Sequence, residues 1–277
     1  MSAVAEAIAE GRVGERLWLY SNYHCNLRTY CLTESAPGVA RRLLGPETIL
    51  ERAREARELG FTGLGVTGGE PFLLDWMPRL LAELTEILPV IVLSNATLFT
   101  GRRLAALEPL SGLPIHIQIS LDSAEPQVND EMRGPENFAK VVAAIPELVR
   151  RRIGVRIATT LEDPASHDPN ELERLCALHR SLGVGDDDHV VRPIIKRGRA
   201  ETGDMGVPAR YLDLEPELTI TADGAFWSPF APTVRQGLLD TDLLLTRTVR
   251  PLQRPFEALL TVAGARPEGA DSILNIR

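Results

Sequence analysis

Tyr20-Ser-Asn-Tyr-His-Cys25-Asn-Leu-Arg-Thr-Tyr-Cys31-Leu-Thr-Glu-Ser35 follows directly on the apolar, aromatic string Leu17-Trp18-Leu19-Tyr20 and holds two of the chain's three cysteines. The string suits a short buried strand, so the loop leaves the strand's C-terminal end. That loop presents two soft ligands separated by five residues, a spacing foreign to the usual zinc sites. Three cysteines in 277 residues cannot form a disulfide framework. A close pair in a reducing compartment points instead to metal or redox chemistry.

Downstream of the loop, strand and helix patterns alternate. Thr48 to Leu59 carries Ile49, Leu50, Ala53, Ala56 and Leu59 at helical spacing and stops at Gly60. The strand Gly63-Leu-Gly-Val-Thr67 runs into Gly68-Gly69-Glu70-Pro71, and a helix near Trp76 to Leu88 precedes the strand Val90-Ile-Val-Leu-Ser94 and Asn95. A helix near Gly101 to Leu107 leads to the strand Ile115 to Leu121, then to Asp122-Ser123 and a polar loop reaching Gly134. Helix Asn137 to Arg151, strand Val155 to Thr160, helix Asn170 to Leu182 and strand Val190 to Ile194 complete the series. Repeats of this kind predict a parallel sheet. The expected fold is α/β, a partial (β/α)6 TIM-like barrel with its site at the strands' C-terminal ends. An open doubly wound sheet uses the same units and is the alternative. Beyond Arg199 the pattern changes to a hairpin, Leu218 to Trp227 with a turn at Asp223-Gly224, and a helical tail from Pro255 to Val262. The expected organisation is a helical leader over 1–16, the barrel over 17–199 and a β-hairpin/helix extension over 200–277.

Composition narrows the function classes. The hydrophobic content of 44% and charged content of 25% are those of a globular protein. No apolar run approaches membrane-spanning length. The Ala/Glu-rich start lacks the basic and apolar segments of a secretion signal, so a cytoplasmic location is expected. A net charge of −8 argues against a nucleic-acid backbone as the main partner. The basic clusters Arg150-Arg-Arg152 and Lys196-Arg-Gly-Arg199 run locally against that trend.

The loop Cys25-Asn-Leu-Arg-Thr-Tyr-Cys31 resembles the cluster loop of the radical S-adenosylmethionine (SAM) superfamily, Cys-x3-Cys-x2-Cys, with the middle cysteine missing. One residue inserted between Arg28 and Thr29 restores the spacing. Gly68-Gly69-Glu70-Pro71 after the second strand, Ser94-Asn95 after the third and Ser120-Leu-Asp122 after the fourth are similar to that family's motifs in the same order. The resemblance implies a 4Fe-4S cluster on Cys25 and Cys31, with SAM chelating its open iron. It also implies that Glu70 meets the SAM ammonium and that Gly68 and Gly69 let the backbone approach the ligand. Ser120 and Asp122 would then meet ribose hydroxyls, Arg133 a carboxylate, and Tyr30 the adenine. Ser94 and Asn95 join the same cofactor set. Arg192, in the sixth strand, is a candidate for an anionic group on SAM or substrate. The implied activity is reductive cleavage of SAM to a 5′-deoxyadenosyl radical that abstracts hydrogen from a small-molecule or peptide substrate. An electron donor such as flavodoxin or ferredoxin is the implied partner. Many relatives carry auxiliary-cluster cysteines in their extensions, but this chain has Ser228-Pro229 there and no cysteine after Cys176.

Plainer readings stand beside these. Cys25 and Cys31 would otherwise be ordinary thiols, Gly68-Gly69 a tight turn, Glu70 a helix-start carboxylate, and Ser120 and Asp122 capping residues. Cys176 sits on a helix as a core thiol, His24 packs, and Asp186-Asp-Asp188 is a solvated corner. Three accounts meet the missing ligand. The cluster has been lost; another group supplies the third bond; or a non-standard residue such as selenocysteine lies between Arg28 and Thr29, outside the 277-letter sequence. Loss of the cluster would leave a SAM- or ligand-binding protein without radical chemistry. A third function class is an ordinary barrel enzyme using Glu70 and Asp122 as acid and base.

Overall fold

The first strand, β1 (Arg16–Tyr20), has Leu17, Trp18 and Leu19 wholly inaccessible, so both its faces are covered. This computed structural model describes residues 2–162, 168–208, 213–235 and 237–265. Helix α1 (Ala3–Ala9) precedes β1, its first turn capped by the Ser2 side chain accepting from the Ala5 amide. Then come α2 (Pro46–Leu59), β2 (Gly63–Thr67), α3 (Met77–Thr85), β3 (Val90–Ser94), α4 (Gly101–Ala105) and β4 (Ile115–Ser120). Helices α5 (Pro126–Arg133) and α6 (Asn137–Arg150), strand β5 (Gly154–Leu161), helix α7 (Pro169–Ser181) and strand β6 (His189–Pro193) complete the alternation.

Strands β1 to β6 pair in parallel in consecutive order. A doubly wound sheet would reverse direction partway across, so the order selects the partial (β/α)6 barrel. Inside, Trp18 lies flat against Gly65, its register partner on β2. A Cβ added at Gly65 would stand 2.2 Å from the indole. The glycine in this otherwise apolar strand is therefore the space that Trp18 fills.

The segment after β6 begins with α8 (Gly198–Thr202) and continues through β7 (Thr219–Thr221) and β8 (Gly224–Phe226). A two-stranded ribbon of β9 (Val234–Arg235) and β10 (Leu238–Leu239) follows, then β11 (Leu244–Thr246) and α9 (Gln253–Gly264). Strand β7 pairs in parallel with β1, so the sheet runs β11-β8-β7-β1-β2-β3-β4-β5-β6. The loop of the hairpin is Ala222-Asp223, one residue earlier than the Asp223-Gly224 turn expected from sequence. Thr221 bonds both the Asp223 amide (3.0 Å) and the Gly224 carbonyl (3.1 Å), drawing Gly224 into the ladder. The extension is tied to the barrel by buried Arg52 of α2, which donates to Glu55 (2.8 Å) and to the Val249 carbonyl (3.1 Å). Phe256 of α9 meets Phe61 edge-on at 5.6 Å between centroids.

One stretch departs clearly from the sequence reading. The polar loop expected between Asp122 and Gly134 contains α5. Pro126 starts the helix. Buried Asn129 fastens it by accepting from the Asp122 amide (3.1 Å) and donating to Asn137 (3.0 Å). Its polar composition hid it, since its fastening is by hydrogen bonds rather than by an apolar stripe. Among the described residues no helix is long and apolar enough to cross a membrane.

Two outcomes follow from this packing. Gly65→Ala should destabilise the protein by about 1–3 kcal/mol through overpacking against Trp18, measured as a lower urea midpoint; an unchanged midpoint would mean that the indole moves aside freely. At the opposite end of β1 from the cysteine loop, Glu217 is 4% exposed and burial pushes its carboxyl up to about 8. Its protonated form fits the fold, so stability should fall as pH rises from about 4.5 through 8. Glu217→Gln should flatten that part of the stability–pH curve.

Candidate active site

Both ends of the cysteine loop are seated by backbone. At the Cys25 end, the Gly69 amide donates to the Asn22 carbonyl (2.7 Å) and the Glu70 amide to the His24 carbonyl (2.9 Å). A Cβ on Gly69 would lie 2.2 Å from the His24 oxygen. At the Cys31 end, the Arg199 amide donates to the Cys31 carbonyl (3.0 Å), and a Cβ on Gly198 would lie 2.4 Å from the Leu32 oxygen. The Arg199 guanidinium adds bonds to the Thr29 (2.7 Å) and Ser35 (2.5 Å) carbonyls. The glycines of β2's exit thus make room for the start of the cysteine loop.

The loop closes over a cavity at the C-terminal ends of the parallel strands. Cys25, Cys31, Tyr30, Gly68, Gly69, Ser94, Asn95, Ser120, Arg133 and Arg192 all line it. Burial first, and the neighbouring Glu70 charge second, push the Cys25 thiol up to about 12. A thiolate there needs compensating positive charge, as a bound metal provides. The Asn95 amide group donates to Asn26 (3.0 Å) and approaches the Cys25 sulfur at 3.8 Å.

Two of the residues singled out from sequence stand behind the cavity wall. Glu70 is 1% exposed and accepts from the Asn95 amide (2.8 Å), the Phe72 amide (3.0 Å) and the Ser94 hydroxyl (3.0 Å). It clamps the exits of β2 and β3 together. Burial lifts its carboxyl to about 7, with those bonds opposing the shift. Asp122 accepts from the Thr160 amide and hydroxyl, both at 2.8 Å, and forms an ion pair with Arg133 through Nε and Nη2. Arg133 in turn stacks on Tyr30, 4.9 Å from the ring centroid, and the Tyr30 hydroxyl meets Thr160 at 2.8 Å.

Thr160, the hub of this network, was missed from sequence because a threonine ending a strand reads as ordinary strand. Arg199 was visible only as part of a basic cluster, and Tyr20, Pro229 and Phe230, which also line the cavity, carried no separate signal. Cys176 lies away from the cavity on α7, its sulfur 3.6 Å from His189 Nδ1. The Asp186 to Asp188 corner is a turn in which Asp186 pairs with Arg180 at 3.0 Å. Among the described residues no third His, Cys, Asp or Glu joins Cys25 and Cys31 in a group able to hold a metal ion.

Comparison with known proteins follows the same lines. A probable GTP 3′,8-cyclase of Archaeoglobus fulgidus is 28% identical over 192 residues, covering 66% of this chain and 61% of that protein. The corresponding protein of Thermococcus kodakarensis is 30% identical over 155 residues, covering 54% and 49%. The chain thus spans about half to three-fifths of the length of these curated relatives. Among solved structures, native anSMEcpe with bound AdoMet superposes with a TM-score of 0.61 at 14% identity, over 87% of this chain and 80% of that one. Streptococcus suis SuiB bound to S-adenosylmethionine gives 0.54 at 15% identity, over 68% and 42%. At those identities the superpositions show a shared fold. The family model of the Radical SAM superfamily matches residues 21–164, from the serine after β1 to just past β5 and more than half of the sequence. This chain belongs to the radical SAM superfamily.

Proposed function

We propose that the chain is a radical SAM enzyme acting on a small-molecule or peptide substrate, with a flavodoxin- or ferredoxin-like electron donor. The observation that carries this reading is the single cavity that gathers Cys25 and Cys31 with the exits of β2, β3 and β4. A 4Fe-4S cluster with one iron left open to SAM takes three thiolates. The donor set here supplies two, one short of a complete site. Held by Cys25, Cys31 and a third donor, such a cluster would supply the electron for reductive cleavage of SAM. The residues assigned to SAM are Gly68, Gly69, Ser94 and Asn95 along one wall, Ser120 toward the ribose, Tyr30 toward the adenine and Arg133 toward the carboxylate. Asp122 acts through Arg133, holding two of its nitrogens and directing the guanidinium edge. Glu70 acts through Asn95 and Ser94 by fixing the exit of β3. The third bond would come from another group or from a non-standard residue at the Arg28–Thr29 junction that the 277-residue sequence does not contain.

The shortfall of one thiolate favours a second reading, a cluster-free relative that binds SAM or another ligand without radical chemistry. Anaerobic reconstitution separates the two. The enzyme should hold about four irons and four sulfides per chain and release 5′-deoxyadenosine on reduction with SAM. Protein that holds no iron belongs to the second reading. Intact-protein mass locates the missing ligand, since a mass equal to that of the 277-residue sequence rules out an extra residue in the loop. Asp122→Asn should weaken SAM binding by about tenfold, roughly 1.4 kcal/mol, because Arg133 loses the charge that orients it. Calorimetric titration of SAM into both proteins measures this; equal affinities would remove Arg133 from the site.

A further inference from the structure

Among the described residues, those lining the cavity include three arginines and no aspartate or glutamate. Two of the three are accounted for. Arg133 is neutralised by Asp122, and Arg199 donates to the Thr29 and Ser35 carbonyls of the cysteine loop. Arg192 is different. Its Nη1 is buried and has no hydrogen-bond partner among the described residues, although a buried guanidinium nitrogen without an acceptor is strongly disfavoured. The side chain is held in place by the ring of Phe230, whose centroid lies 5.4 Å from Cζ.

Position assigns the unmet donor. Arg192 lies on β6, the edge strand opposite the Gly68-Gly69 wall, and its register partner on β5 is Thr160. It therefore flanks the Asp122–Arg133–Tyr30 network without joining its bonds. Phe230 brings the segment after the β7–β8 hairpin to the same wall. Given the SAM reading above, the one carboxylate of SAM is matched by Arg133, and a second guanidinium on another wall calls for a second anion. We infer that Arg192 is the substrate-anchoring residue of this cavity, and that the substrate carries a carboxylate or a phosphate that the planar guanidinium fork grips. Both oxyanions suit its paired donors.

The test uses the full chain with inorganic phosphate and acetate as probes, titrated into wild type, Arg192→Gln and Arg192→Lys. SAM is titrated in parallel, and urea midpoints establish that the variants fold. Wild type should bind at least one anion, with affinity reduced tenfold or more in Arg192→Gln and by a smaller factor in Arg192→Lys, which keeps the charge but loses the fork. SAM affinity should change by less than twofold. Preference for phosphate identifies a phosphorylated substrate, and preference for acetate a carboxylated one. No anion binding by wild type, equal binding by wild type and Arg192→Gln, or an equal loss of SAM binding would each overturn the assignment. Should Arg192→Gln not fold, unchanged anion affinity in Arg192→Lys overturns it. Failure of the radical SAM reading shows separately, as absent iron and absent 5′-deoxyadenosine with Arg192-dependent anion binding intact.

Discussion

The close approach of the β2 exit to the start of the cysteine loop is the constraint on which the site depends. The amides of Gly69 and Glu70 bond the carbonyls of Asn22 and His24. That spacing leaves no room for a side chain at Gly69. The contact fixes where Cys25 emerges, and the Glu70 carboxylate carries the constraint onward to β3 through Ser94 and the Asn95 amide. A matching contact from Gly198 and Arg199 fixes the Cys31 end. The loop is thus held at both ends by backbone geometry, and neither seat requires a third ligand in the middle.

The second organising element is the buried network of Asp122, Arg133, Tyr30 and Thr160. It joins the exits of β4 and β5 to the cysteine loop by charge-assisted bonds in a dehydrated setting, where such bonds are strong and an orphaned member is costly. Its completeness sets off Arg192 next to it, which has an aromatic support and whose buried Nη1 finds no acceptor among the described residues. Two guanidiniums on neighbouring walls, one satisfied and one not, divide the cavity into a part built around internal pairing and a part open to an incoming anion.

The extension contributes to both. Strand β7 lengthens the barrel sheet beyond β1, and the segment after the hairpin delivers Pro229 and Phe230 to the cavity. Arg197 fastens this segment by a two-pronged bond to Asp242 (2.7 and 2.9 Å) and a bond to the Ala231 carbonyl (3.2 Å). The wall that faces Arg192 is therefore set by residues far from it in the chain.

The consecutive parallel strand order chose the barrel over a doubly wound sheet, while the sequence by itself determined the alternation of strands and helices, the resemblance to the superfamily and ten of the residues that line the cavity. Those features are local: apolar runs, glycine pairs and polar residues at strand exits announce themselves within a few positions. Only the tertiary structure decided that Glu70 and Asp122 stand behind the wall as organisers, that Thr160 is a hub, that α5 is a helix and that, among the described residues, the buried Nη1 of Arg192 has no acceptor. Each of these depends on which atoms meet across distant parts of the chain. A carboxylate reads the same in sequence whether it faces a ligand or accepts three bonds from its own fold, and only the packing of β2, β3, β4 and β5 chooses between them.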